Sequence, residues 1–193
     1  TFAFQDFKCF RDLFCCHTVF GVARVIHDVI ADLKDSSRIV AAAHLFRQPS
    51  NSFLHFFPRI GITMKADRKL QNTMWYGMGP GESYVDSKAA SVMGIYKNTV
   101  DGMMTNYVFP QENGHREQVK WFRIGDGRDG LLCKMKAPLG LNLANYTDES
   151  LEQAQHPFAI EKADDVIIHL DYLHSGLGSN SCGEEQLEEN KVK

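Results

Sequence analysis

The pattern of hydrophobic and polar positions changes near residue 58. Downstream of this point, short apolar runs are separated by Gly, Pro, Asn and Asp at intervals of about ten residues, which is typical of antiparallel β-proteins. We therefore predict a mainly β fold for this part of the chain. The predicted strands are Arg59 to Lys65, Leu70 to Met78, Gln118 to Ile124, Gly130 to Lys136, Leu139 to Leu143 and Val166 to Tyr172.

Turns and one helix separate these strands. The segments Gly77 to Gly81 and Gly125 to Gly130 supply residues that adopt positive φ at little cost, so each predicts a turn. Thr147 precedes a short run that places Leu151 and Ala154 on one face, a pattern typical of a capped helix N-terminus.

The first 56 residues have a different pattern and composition. Apolar residues between Val19 and Leu33 recur at spacings of three and four, which predicts an amphipathic helix. A second short helix is predicted from Ser37 to Phe46, and Gln48 to Ser52 is predicted to be a linker. The first 57 residues also hold ten of the 13 Phe and no Glu. We predict a helical, unstructured or mistranslated leader over residues 1–56 and a β-sandwich domain over residues 57–193.

Length, charge and cysteine content narrow the class of protein. With 193 residues, of which 44% are hydrophobic and 23% charged, the chain matches one soluble globular domain. Its net charge of -3 argues against a nucleic-acid partner, and no apolar run approaches the roughly 18 residues that cross a membrane. Five cysteines without a disulfide pattern, and no secretory signal, predict a cytoplasmic location. A start on Thr1 indicates a processed or truncated piece.

The sequence predicts neither a metal site nor a catalytic carboxylate pair. Cys15, Cys16 and His17, with Cys9 nearby, lack the two-residue gap that brings two thiolates to one zinc ion. The acidic pairs, such as Asp164-Asp165, are sequence neighbours, which point to opposite faces of a strand and are expected to be solvated. His169 and His174 flank a predicted strand end, where hydrogen-bonded structural roles are expected.

Two segments have a composition that suits sugar hydroxyls. The segment Tyr107 to Gly114 combines aromatic residues with a turn rich in side-chain amides, and Ser175 to Gly183 combines three glycines with uncharged donors and acceptors. Trp75, Tyr76 and Trp121 are candidate stacking faces. Ordinary turns explain the same residues, so both interpretations stay open.

Five ordered motifs make the chain similar to a known family over residues 57 to about 192. The motifs are Phe57-Pro58-Arg59-Ile60-Gly61, the run from Trp75 to Asp86, Pro110-Gln111-Glu112-Asn113-Gly114, Tyr146-Thr147 with Leu151-Glu152 and His156, and Leu170-Asp171 with Gly176 to Gly183. In this order they resemble β-galactosidases of glycoside hydrolase family 2. The resemblance is to the carboxy-terminal domain, called the small chain where the enzyme is split between two genes.

The resemblance implies an incomplete antiparallel β-supersandwich of the galactose-mutarotase-like type. In that family the domain packs beside a catalytic TIM barrel, which hydrolyses terminal β-galactosides with a pair of Glu residues and uses Mg and Na. The implied partners are this barrel or large chain, a galactoside substrate, and further copies in an oligomer. The barrel and its carboxylates have no counterpart here, so we expect a chain without catalytic residues or a cofactor of its own.

The resemblance also implies where substrate is contacted. In some members a Trp in the loop after the Gly-Leu-Gly-like motif stacks on the sugar, whereas the corresponding place here has no aromatic residue. The predicted substrate-binding residues are Asn180, Ser181, Cys182 and Gly183.

Two alternatives remain open: a free-standing carbohydrate-binding or mutarotase-like module, and a non-functional fragment. A mutarotase needs a His and a carboxylate that face one pocket as acid and base. The sequence nominates His115 with Glu112, or His174 with Asp171.

Overall fold

Seven antiparallel strands form one sheet in the order β1-β2-β7-β6-β5-β3-β4. The computed structural model describes residues 40–42, 56–178 and 186–193. The strands are β1 (Val40–Ala42), β2 (Arg59–Asp67), β3 (Asn72–Gly79), β4 (Val92–Thr99), β5 (Arg116–Gly125), β6 (Gly130–Ala144) and β7 (Asp165–His174). The predicted fold class, a mainly antiparallel domain of β-sandwich character, is confirmed.

The helices in this part of the chain are short. They are α1 (Val100–Met103), α2 (Asp148–Gln153) and two 3-10 turns at Pro157–Ala159 and Glu188–Asn190. Thr147 caps α2 as predicted, because its side-chain oxygen accepts a hydrogen bond from the Ser150 N–H at 3.2 Å.

The structure differs from the sequence predictions at three strands, β6, β4 and β1. β6 runs continuously through Pro138, where the sequence predicted a break, and its register with β5 shifts nearby. β4 was not predicted, because its apolar residues lie on both of its faces and leave no alternating pattern. The helix predicted from Ser37 to Phe46 is wrong at Val40–Ala42, which pairs with Thr63 to Lys65 on β2 instead. The helix predicted between Val19 and Leu33 and the linker lie outside the described residues.

One face of the sheet forms the hydrophobic core. The strand register places Ile62, Leu170 and Leu141 in one row across β2, β7 and β6, and all three side chains are buried. Trp75 and Phe122 extend the same core across β3 and β5. Because successive side chains of a strand point to opposite faces, these residues cover one face of the sheet, and their sequence neighbours lie on the other face.

The opposite face of β2, β7 and β6 is also buried, but it is polar. Thr63, His169 and Asn142 form one row on this face, and Gly61, Asp171 and Gly140 form the next. His169, Asp171 and Asn142 are buried. Loops between the strands cover these residues and bring further polar side chains to them.

Candidate functional site

Arg59, Asp148 and His169 form the first part of the polar cluster on this face. Arg59 lies at the start of β2 and donates a hydrogen bond to Asp148 at the start of α2. His169 Nε2 lies 3.4 Å from Asp148, and its Nδ1 lies 3.0 Å from the Thr63 hydroxyl. Burial would raise the pKa of Asp148, but His169 and Arg59 hold it well below its usual value. Asp148 is therefore a paired carboxylate.

Asp171 and His115 form the second part, where burial disfavours the charged form of each side chain. A Cβ on Gly61 would collide with the Asp171 carboxylate, and one on Gly140 would collide with the His115 ring, so glycine on both neighbouring strands makes room for these side chains. Burial raises the pKa of Asp171, whereas burial and then His174 lower the pKa of His115 to about 3. The 3.8 Å between His115 Nε2 and Asp171 Oδ2 therefore does not join an ion pair.

Three buried polar atoms at this place make no hydrogen bond among the described residues: Arg59 Nη1, His115 Nε2 and Asp171 Oδ2. His115 Nδ1 carries its ring proton, because it lies 2.8 Å from the carbonyl oxygen of Ser83, which can only accept. Its Nε2 is consequently an acceptor facing Asp171. Buried polar atoms without a hydrogen-bond partner are uncommon in proteins, so these three atoms mark the cluster as a candidate functional site.

Glu112 and His174 form the third part, at the edge of the cluster. His174 Nε2 lies 3.8 Å from Glu112 Oε1, and the same oxygen accepts hydrogen bonds from the Tyr84 hydroxyl at 3.2 Å and Asn142 Nδ2 at 3.3 Å. His174 Nδ1 donates to its neighbour's carbonyl, Ser175 O, at 2.7 Å. This bond orients the ring and directs Nε2 to Glu112.

The two His–carboxylate pairs nominated from the sequence are exchanged in the structure. His115 faces Asp171 and His174 faces Glu112, rather than the reverse. The reason is the register of β7, which places Asp171 between Gly61 and Gly140 and beside His115, while the register shift between β2 and β7, with Tyr172 as the extra residue of β7, separates His174 from Asp171. All four residues nevertheless belong to one cluster, with His115 and His174 ring centroids 4.6 Å apart.

A cavity of about 520 Å³ opens beside this cluster. Its polar lining includes Arg59, Glu112, Asp148, Glu152 and His174. Its apolar lining consists of Phe56, Pro58, Phe109, Pro110, Leu151 and Leu177. The volume lies within the roughly 300–1,000 Å³ of small-molecule sites.

Four of the five motifs singled out from the sequence meet at this cavity. They contribute Pro58-Arg59, Pro110 to Glu112, Leu151-Glu152 and Gly176-Leu177. From the segment Tyr107 to Gly114, the residues Phe109 to Glu112 line the cavity. Sequence reasoning missed Arg59 and Asp148 as functional candidates, because each one's role depends on a partner far away in the chain.

The predicted substrate-binding residues Asn180, Ser181, Cys182 and Gly183 lie outside the described residues. The chain leading to them is anchored, because Asp86 accepts hydrogen bonds from the backbone N–H groups of Leu177 at 2.9 Å and Gly178 at 2.8 Å. Gly176 N–H donates to Asn190 O at 2.8 Å, which ties the start of this loop to the chain end beyond it.

The predicted aromatic stacking faces do not line the cavity. Trp75 is 1% exposed, and its indole N–H donates to the Met78 carbonyl, so it is wrong as a stacking face. Tyr76 and Trp121 pair across β3 and β5, away from the cavity. The aromatic rings that do line it are Phe56 and Phe109.

Among the described residues there is neither a cluster of metal ligands nor a helix that could span a membrane. No group of three or more His, Cys, Asp and Glu side chains there has an arrangement that fits a metal ion. No helix within residues 40–42, 56–178 and 186–193 is long and apolar enough to cross a membrane. The cysteines at positions 9, 15 and 16 fall outside these ranges.

Comparison with known proteins identifies the relatives of this chain. The family described as beta-galactosidase small chain matches residues 18–193, which extends upstream of the motifs. A β-galactosidase of Arthrobacter sp. (strain B7) is 32% identical over 141 residues, and one of Actinobacillus pleuropneumoniae is 33% identical over 130 residues. These matches cover 70% and 67% of the chain, but only 14% and 12% of the two relatives. The chain therefore belongs to the β-galactosidase small-chain family.

Proposed function

We propose that this chain is the non-catalytic carboxy-terminal domain of a β-galactosidase that hydrolyses terminal β-D-galactosides. The observation that carries the proposal is the family match over residues 18–193, combined with relatives of which the chain spans only 12–14%. A chain that matches so small a share of an enzyme is expected to depend on the remainder. The proposed partner is the catalytic barrel or large chain, within an oligomeric enzyme.

The charged residues of the cavity are consistent with a supporting role. Asp148 is paired with Arg59 and His169, and Glu112 accepts hydrogen bonds from Tyr84 and Asn142. Carboxylates held by such partners are fixed in orientation, which suits binding and shape better than the proton cycling of a retaining glycosidase. We therefore assign the nucleophile and the acid/base to the partner. We also propose that Mg and Na bind there and that this chain has no cofactor of its own.

The loop that follows Gly178 is the proposed wall of the active site. Asp86 and Asn190 hold the backbone of Gly176 to Gly178, which directly precedes this loop. Its small polar residues, Asn180, Ser181 and Cys182, offer hydrogen bonds without bulk. The odd number of cysteines supports a reducing, cytoplasmic setting for the enzyme.

A chimaera tests this function. Residues 56–193 replace the matching region of the Arthrobacter sp. (strain B7) β-galactosidase, and hydrolysis of a chromogenic β-galactoside is measured. We expect the chimaera to be active, and the 193-residue chain and the relative lacking this region to be inactive. Asn180→Ala should lower the activity of the chimaera more than Lys97→Ala on β4. Hydrolysis by the chain alone, or an inactive but folded chimaera, would contradict the proposal.

The mutarotase-like alternative has one observation in its favour. His174 and Glu112 lie 3.8 Å apart at the cavity, as an acid/base pair for ring opening requires. Polarimetry separates the two functions: faster anomerisation of α-D-galactose by the chain alone, lost in His174→Asn, would support the alternative. An anomerisation rate equal to that in buffer would favour the proposed non-catalytic role.

A further inference from the structure

The cavity is lined by three carboxylates, Glu112, Asp148 and Glu152, and by the basic side chains Arg59 and His174. Arg59 is already paired with Asp148, and His174 compensates Glu112 only when its ring is protonated. Glu152 is exposed. An anionic ligand would therefore meet three carboxylates and find the one permanent cation of the described lining already paired, so the lining disfavours an anion.

The polar groups of the cavity include both donors and acceptors. Glu112 and Glu152 accept hydrogen bonds, whereas Arg59 only donates, and the His174 Nε2 changes role with its protonation. Behind them lie the buried Asp171 Oδ2 and Arg59 Nη1, which make no hydrogen bond among the described residues. A hydroxyl group both donates and accepts, so a ligand carrying several hydroxyls matches this lining.

The opposite part of the lining is apolar and includes an exposed aromatic ring. Phe109 is 60% exposed at the cavity, next to Pro110, while Leu151 and Leu177 belong to the same lining. A flat aromatic ring suits a ligand with an apolar C–H face, and polar groups elsewhere orient its hydroxyls. A neutral ring with one apolar face and several hydroxyls is a sugar.

We propose that this cavity is a binding site for a free monosaccharide, with Phe109 against the ring and Glu112 and His174 hydrogen-bonded to hydroxyls. All of the named lining residues belong to the described part of this chain, between Phe56 and Gln186. The inference is therefore independent of the proposed partner and of the loop that contains Asn180.

Saturation-transfer NMR on the 193-residue chain with D-galactose tests the site, because the signal does not require a monomeric protein. We expect transfer to the ring protons of galactose, and binding about tenfold weaker in Phe109→Ala and in Glu112→Gln. Phe158→Ala and Glu189→Gln are matched controls, because both side chains are exposed and lie outside the cavity lining. Far-ultraviolet circular dichroism verifies that each variant is folded.

Competition with an anion and with a cation tests the chemical class of the ligand. Neither inorganic phosphate nor tetramethylammonium should displace galactose. Displacement by tetramethylammonium would assign the cavity to cations and overturn the proposal, and displacement by phosphate would assign it to anions with the same consequence. Absence of transfer, or equal binding by Phe109→Ala and Phe158→Ala, would also overturn it. Hydrolysis by the chimaera is measured separately, so failure of one proposal is distinguishable from failure of the other.

Discussion

At the scale of single residues, Gly140 shows how the backbone makes space for a side chain. It lies beside Asp171 on β7, and a Cβ at this position would collide with the His115 ring. The ring cannot move away easily, because His115 is 1% exposed and its Nδ1 is held by Ser83. Close packing transmits such a collision to the neighbouring side chains.

Gly140→Ala is therefore expected to lower the free energy of unfolding by about 1–3 kcal/mol, the usual cost of overpacking a buried site. Gly81→Ala is the matched control, because a Cβ there meets no atom within 4 Å, and its effect should stay within about 0.5 kcal/mol. Urea unfolding measures both values. Equal effects of the two substitutions would show that the ring has room to move.

His115 also predicts how stability depends on pH. Burial and His174 lower the pKa of His115 to about 3, whereas the unfolded ring titrates near 6.5. Between these values the unfolded state binds a proton that the folded state does not, so stability falls as the pH is lowered. Asp171 works in the opposite direction, because its raised pKa makes the folded state take up a proton first.

His115→Asn isolates the histidine contribution, because the Asn amide can still donate to Ser83 O. The wild type should lose more stability than this variant between pH 6.5 and pH 4, by on the order of 1 kcal/mol for each pH unit. His156→Asn, at an exposed site, should leave the wild-type slope unchanged. Unfolding curves at four pH values measure the slopes, and identical slopes for wild type and His115→Asn would refute the assignment.

At the scale of elements, α2 matters for the position of one carboxylate. Its six residues are too few to form a stable helix alone, so its N-cap and its contacts hold it. Thr147 caps the first turn, and Asp148, the next residue, reaches Arg59 and His169 on two strands. Loss of the cap should consequently loosen both the helix and the polar cluster.

Thr147→Ala is expected to lower the free energy of unfolding by about 1 kcal/mol, whereas Thr147→Ser, which keeps the hydroxyl, should cost much less. Thermal and urea unfolding measure the difference. If Ala and Ser prove equivalent at this position, tertiary contacts rather than the cap hold α2.

At the scale of the whole molecule, β4 is an edge with an apolar surface. Within the described residues its one strand neighbour is β3, and Val92, Met93 and Ile95 are 65%, 41% and 62% exposed. An exposed, apolar edge strand pairs readily with another chain. In the proposed enzyme, the remainder of the β-galactosidase is expected to cover it.

The 193-residue chain alone is therefore expected to associate, and Ile95→Lys should shift it towards monomer. Val108→Lys is the matched control, because Val108 is 91% exposed and lies outside the strands of the sheet. Size-exclusion chromatography with light scattering measures the mass. A wild-type chain that stays monomeric at high concentration would contradict this role for β4.

The fold was more predictable from the sequence than the site. Short apolar runs bounded by turn residues marked β2, β5 and β7. β4 left no such signal, because its apolar residues lie on both faces of the strand. Motif order alone carried the family resemblance, and the family match confirms it.

The sequence by itself determined the β-rich class and the cap at Thr147, because these depend on residues close together in the chain. That four separate motifs line one cavity was decided by the tertiary structure. Tertiary structure alone decided which charged groups meet. Arg59 and Asp148 are separated by 89 positions, and the pairing of His115 with Asp171 follows from strand register and from two glycines that leave room between strands. Register is set by the packing of the whole sheet, so a slip of one residue would turn Asp171 to the opposite face.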